Sequence, residues 1–162
     1  AYLSEWQAEF EGTMTWAAPG VVKRAADRGM ELHVDHELSD TAPSQWAGEI
    51  DQMVVSGSDV HREAVFLHRV SRTLILTDLI ENFEPRNLPF FMRPLVRLAG
   101  IAAPHGAMPR DMRWTFRGHH DALRAAIERM IAWEPERIVI SHGDWFRGDA
   151  VGELRRAFRF LF

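Results

Sequence analysis

The sequence contains no cysteine. Disulfides and thiolate-bound metals are therefore excluded, and any metal must be held by His, Asp or Glu. Lysine is almost absent as well: Lys23 stands alone among nineteen basic residues, the rest being Arg. The formal net charge is −4, so the charge balance gives no reason to expect nucleic acid or an anionic membrane as a partner. No apolar run reaches the ~20 residues of a membrane-spanning helix. The first residues show no basic leader region, and charged residues interrupt them early. A cytoplasmic location without stable membrane insertion is the expectation. No phosphate-binding loop, G-x-G-x-x-G or G-x-S-x-G elbow occurs.

What is present fits an ordinary globular chain. It has 162 residues, 46% of them hydrophobic, which is enough for one domain over 1–162 with its own core. "AYLSEWQAEF" reads as helix, with Leu3, Trp6 and Phe10 on one face. A helix starting at residue 1 without a cap suggests a chain that begins in mid-domain. "TMTWAAPG" reads as a short strand and turn, 20–28 as a short helix closed by Gly29, and "MELHVDHEL" as a strand. Three consecutive strands follow in "GEIDQMVVSG", "REAVFLH" and "RTLILTD", separated by turns at Ser56–Ser58 and Val70–Arg72. Residues 79–117 read as irregular. A helix covers 119–133, a strand 137–141 and a last helix 149–160. Hairpin strands followed by helix, strand and helix predict an α/β fold, a mixed sheet with helices outside.

Chemistry-bearing residues cluster at strand ends. Asp78 closes "TLILTD", where it could serve a ligand or cap a following helix. His142 closes "RIVIS", and Gly143 behind it permits a sharp turn that aims the imidazole along the sheet edge. Two such ends meeting at one edge would let an Asp and a His share a metal. Asp144 could then hold the His142 ring from behind. His61, at the start of "REAVFL", is a weaker third ligand. The run His33–His36 has a metal-like look, but strand alternation would send His33 and Asp35 one way and His36 the other. In 88–101, Phe90, Phe91, Leu95 and Leu98 recur at helical spacing. That stretch reads as a lid, a homodimer contact or a membrane-surface element.

"WAGEIDQMVVSG", "AVFLHRVSRTLILTDLIENF" and "WEPERIVISHGD", in this order, resemble the bacterial domain-of-unknown-function family 4336 of the metallo-β-lactamase-fold superfamily. The resemblance spans nearly the whole chain. It implies an αββα sandwich, incomplete at the N-terminus, of which 1–162 is the C-terminal two-thirds. It also implies a bridging Asp at Asp78 and a late His at His142. The chain departs from the superfamily pattern in three ways. The opening H-x-H-x-D-H motif has no match. His61 lacks its Thr-Pro-Gly setting. Leu76-Thr77 precedes Asp78 where Gly is customary. One or two Zn, Fe or Mn ions, or none, therefore remain open.

The function expected is a metal-dependent hydrolase acting on a small-molecule ester, amide or phosphoester. Asp78 and His142 would be catalytic ligands, and the segment 83–108 a lid. The alternative is a non-catalytic binding protein on the same fold with a degenerate metal site.

Overall fold

The computed structural model describes residues 2–58 and 60–162. Ala1, where the first helix was expected to begin, lies outside the described residues. The elements run α1 (Leu3–Glu9), β1 (Trp16–Ala17), α2 (Val21–Ala26), β2 (His36–Glu37), β3 (Ile50–Val55), β4 (Glu63–His68) and β5 (Thr73–Ile75). After these come α3 (Arg93–Ala99), α4 (Arg110–Thr115), α5 (His120–Ala132), β6 (Arg137–Val139) and α6 (Ala150–Ala157).

Strands β3 to β6 form one sheet in that spatial order. The first two pairings are antiparallel hairpins and the last is parallel. A parallel neighbour needs a crossover, and α3, α4 and α5 supply it. The parallel pair matters for function because both strands then end on the same edge.

Alternation along the strands separates two faces. Val55, Val65, Leu74 and Ile138 are fully buried on one face. α5 covers them with Leu123, Ile127 and Met130, spaced i, i+4, i+7, and α6 adds Leu154 and Ala157. Each of these Val, Leu, Ile and Met side chains contributes about 1.5–3 kcal/mol on burial. Pro135 follows α5 and stops it. Asp149 caps α6, its carboxylate accepting the Gly152 N–H at 3.2 Å.

The opposite face carries the row Gln52, Phe66, Ile75 and Val139, one residue per strand. One end of it is covered. Trp46 Nε1 donates to Gln52 Oε1 at 2.9 Å, while Gln52 Nε2 donates to the carbonyls of Ser39 and Thr41. Ile75 in the same row remains 37% exposed.

Two expectations needed correction. "MELHVDHEL" pairs only through His36–Glu37, against β1. The Asp35 carboxylate accepts the Thr15 N–H and hydroxyl, so a side chain takes the place of ladder bonds there. The irregular segment 79–117 holds α3, α4 and a 3-10 turn at Pro85–Asn87. The helical spacing within 88–101 is realised as α3, with Pro94 in its first turn, where proline is tolerated, while the six residues of α4 are too few for a periodic signal.

Candidate functional site

The site begins with a buried carboxylate. Glu63 opens β4 and shares the core face with Val65 and Leu67. A carboxylate in that position must find donors. It accepts the backbone N–H of Thr77 on Oε1 at 2.6 Å, and those of Asp78 and Leu79 on Oε2 at 3.0 and 2.9 Å. Three consecutive amides make the turn after β5 an anion cradle filled from within. The Asp78 side chain is thereby presented at the sheet edge.

His142 arrives from the neighbouring strand. Its carbonyl accepts the Asn82 N–H at 2.9 Å, and the Asp144 N–H donates to the Asn82 carbonyl at 2.9 Å. Gly143 lies between, with φ of 101°. A Cβ there would stand 2.0 Å from the Asn82 carbonyl oxygen, so only glycine lets the two chains approach. Asn82 is itself buried. Its side chain accepts the Gly106 N–H and donates to the Asp144 carbonyl, each at 2.8 Å.

These two loops bring Asp78 and His142 together. His142 Nε2 lies 3.2 Å from Asp78 Oδ1, with the two side chains 49% and 44% exposed. Phe83 stacks beside the imidazole at 6.1 Å between ring centres. Glu81 stands close by. Its own burial raises its carboxyl above the ordinary range, Asp78 and Asp111 push the same way, and His142 opposes them.

His61 does not join the pair. Its Nε2 lies 3.3 Å from Glu63 Oε2, beneath the turn, and its ring meets Phe116 edge-on. It partners the carboxylate that holds Asp78 and offers no donor beside Asp78 itself. Asp144 does not hold the imidazole. Its backbone is engaged with Asn82, and it lines a groove of about 710 Å³ together with Arg86, Arg97 and Trp145. The His33–His36 run is also dispersed: Asp35 is bound to Thr15, and the His36 ring packs on Trp16.

Sequence reasoning missed Glu63, Asn82, Glu81 and Phe83. For Glu63 the signal was present, because alternation with Val65 and Leu67 places it inside. For the others it was not, since only the fold brings 81–83 beside 143.

With this geometry in hand, solved structures offer a comparison. A DIM-1 metallo-β-lactamase exposed to ceftazidime superimposes with a TM-score of 0.56 over 98% of this chain and 61% of its own, at 11% identity. A second DIM-1 metallo-β-lactamase structure gives 0.56 at 13% identity, over 97% and 61% of the two chains. The metallo-β-lactamase from Pontibacter korlensis gives 0.55 at 14%, over 98% and 61%.

The chain has the metallo-β-lactamase fold.

It spans 61% of the length of these structures. No family model matches the sequence, that of family 4336 included, and no curated protein matches it. The metallo-β-lactamase fold implies a metal, and the residues can be tested against one. An imidazole nitrogen and a carboxylate oxygen bound to a tetrahedral ion at about 2.0–2.1 Å lie roughly 3.3 Å apart. The observed 3.2 Å is compatible with that spacing and is equally the contact of a direct ion pair between the two side chains, both of which are accessible. The pair fits two positions of an ion's shell. Among the described residues no third His, Asp or Glu converges with them.

Proposed function

We propose that the protein is a metal-dependent hydrolase whose ion would be held by Asp78 and His142. The observation that carries this reading is their 3.2 Å approach at the shared edge of β5 and β6. The metallo-β-lactamase fold supports it. A bound ion would supply water of lowered pKa for attack on an ester, amide or phosphoester of a small molecule.

The remaining roles belong to the chain's own residues. Glu63 fixes the turn that aims Asp78. Asn82 and Gly143 fix the loop that aims His142. Phe83 stacks along one side of the imidazole, which stays 49% exposed. Glu81, whose carboxyl is pushed above its ordinary range by burial, stands beside the pair. The segment 83–108 rises from this edge and would select the substrate.

A second reading has one observation in its favour, the absence of a third donor among the described residues. It makes the protein a binding module with a degenerate site. Metal analysis after purification in medium replete with Zn, Mn and Fe separates the two, alongside assays on ester, amide and phosphoester substrates. Stoichiometric metal and turnover, both lost in Asp78→Ala, support the hydrolase. A metal-free protein without turnover supports the binder.

A further inference from the structure

The stretch from Pro85 to Arg110 departs from the rest of the chain in charge and exposure. It contains Arg86, Arg93, Arg97 and Arg110 and no Asp or Glu between Glu84 and Asp111, which bound it on either side, and Glu84 pairs with Arg86 at 3.2 Å, in a protein whose net charge is −4. The remainder therefore carries −8. The stretch also bears the largest concentration of bare apolar side chains on any one segment. Phe90 is 81% exposed, Phe91 60%, Leu95 59% and Leu98 68%. Together these expose several hundred Å², on the order of the largest patch a typical monomer shows.

The lobe is built and held. Phe83 N–H donates to the Ile101 carbonyl and Ala103 N–H to the Phe83 carbonyl, each at 2.8 Å, closing its base. Val96 is the buried side chain of α3 and pins the helix down. Leu95 and Leu98, three residues apart, share the outer face. Arg93 Nε donates to the Leu88 carbonyl at 3.1 Å and ties the approach to the helix. Phe90 and Phe91 stand edge-to-face at 5.8 Å ahead of it. The apolar groups are thus presented outward by a folded scaffold.

We infer that this lobe docks on an anionic membrane surface, with Phe90, Phe91, Leu95 and Leu98 entering the headgroup boundary and Arg93 and Arg97 of α3 pairing with lipid phosphates. The charge pattern selects this occupant. Apolar tips beside Arg93 and Arg97, with Glu84 already paired to Arg86 at the base of the lobe, match an anionic interface. A second copy placed lobe to lobe would set like charges against one another with no acidic partner in the segment. The net negative remainder would be repelled by the same surface, so contact is confined to the lobe. Because Phe83 at its base touches His142, a docked lobe would bring the Asp78–His142 edge close to the bilayer. The docking itself does not depend on the hydrolytic reading.

Co-sedimentation with vesicles tests it. The protein is mixed with vesicles of phosphatidylcholine alone or of phosphatidylcholine and phosphatidylglycerol. Binding to the anionic vesicles is expected to be at least about tenfold tighter and to weaken with added salt. Phe90→Ser with Phe91→Ser, and separately Arg97→Glu, are expected to abolish it with circular dichroism and melting temperature unchanged. Equal binding to both vesicles, no binding to either, or binding that survives both variants overturns the inference. So does a protein that stays off the vesicles but doubles its mass in light scattering and loses that mass in the Phe variant.

Discussion

The carboxylate of Glu63 holds the backbone N–H of Asp78 at 3.0 Å, and through it the turn that carries the site. The same carboxylate holds Thr77 and Leu79, and His61 partners it from below. A buried charge with four polar neighbours is costly to disrupt from one side only. Glu63→Ala is expected to lose about 3 kcal/mol in urea denaturation, because three turn amides lose their acceptor at once. Glu63→Gln keeps one acceptor oxygen and should lose less. Metal affinity should fall in both variants with Asp78 itself intact. Unchanged affinity in Glu63→Gln would make the residue structural only.

A second prediction concerns the crossing of 81–83 by Gly143. A Cβ at 143 would lie 2.0 Å from one backbone atom and 2.2 Å from another, on a residue with φ of 101°. Neither obstacle is a flexible side-chain end. Gly143→Ala is expected to cost about 3 kcal/mol or more in stability. Gly148, with nothing within 4 Å of its would-be Cβ, serves as the control and should tolerate Ala.

Asn82→Ala removes the acceptor of the Gly106 N–H and the donor to the Asp144 carbonyl. Leaving the buried Gly106 N–H unpaired should cost about 1–3 kcal/mol. The local effect should be visible as altered NMR shifts of the His142 ring. A stable Asn82→Ala protein with an unchanged His142 signal would contradict the role given to Asn82.

The pH dependence has a definite sign at Asp51. Two hydrogen bonds from Arg69, at 2.9 and 2.5 Å, hold its carboxyl below the ordinary range, with partial burial opposing and the Arg69 charge adding. A carboxylate with a depressed folded pKa stabilises above its unfolded pKa, and the contribution fades as pH falls through the folded value. Asp51→Asn should therefore be less stable at pH 7 by up to about 1 kcal/mol, a range set by partial exposure of the pair. The gap should close on acidification below about pH 4. A gap that stays constant to low pH would show that the ion pair is not its cause.

That Asp78 and His142 lie just past strand ends was legible in the sequence, because an apolar run precedes each. That the two strands are parallel neighbours was not, since the connection between them is an 80–136 excursion with weak periodicity. His61 drew attention for its residue type, yet the informative residue was Glu63 two places on. It stands in register with Val65 and Leu67, and a carboxylate on a core face must be tied to something. The strand over "MELHVDHEL" failed because alternation reports a half-exposed surface without reporting a partner; Asp35 spent its acceptor on Thr15 instead. Helical spacing pointed to α3 within 88–101, but α4 escaped notice because six residues are fewer than two turns.

The central claim is that Asp78 and His142 grip one ion. X-ray absorption at the zinc edge of the zinc-loaded protein tests it most directly. The account predicts imidazole scattering in the wild-type spectrum that disappears in His142→Ala, and a first-shell oxygen contribution that falls in Asp78→Ala. Spectra left unchanged by both substitutions would place the ion elsewhere and contradict the account.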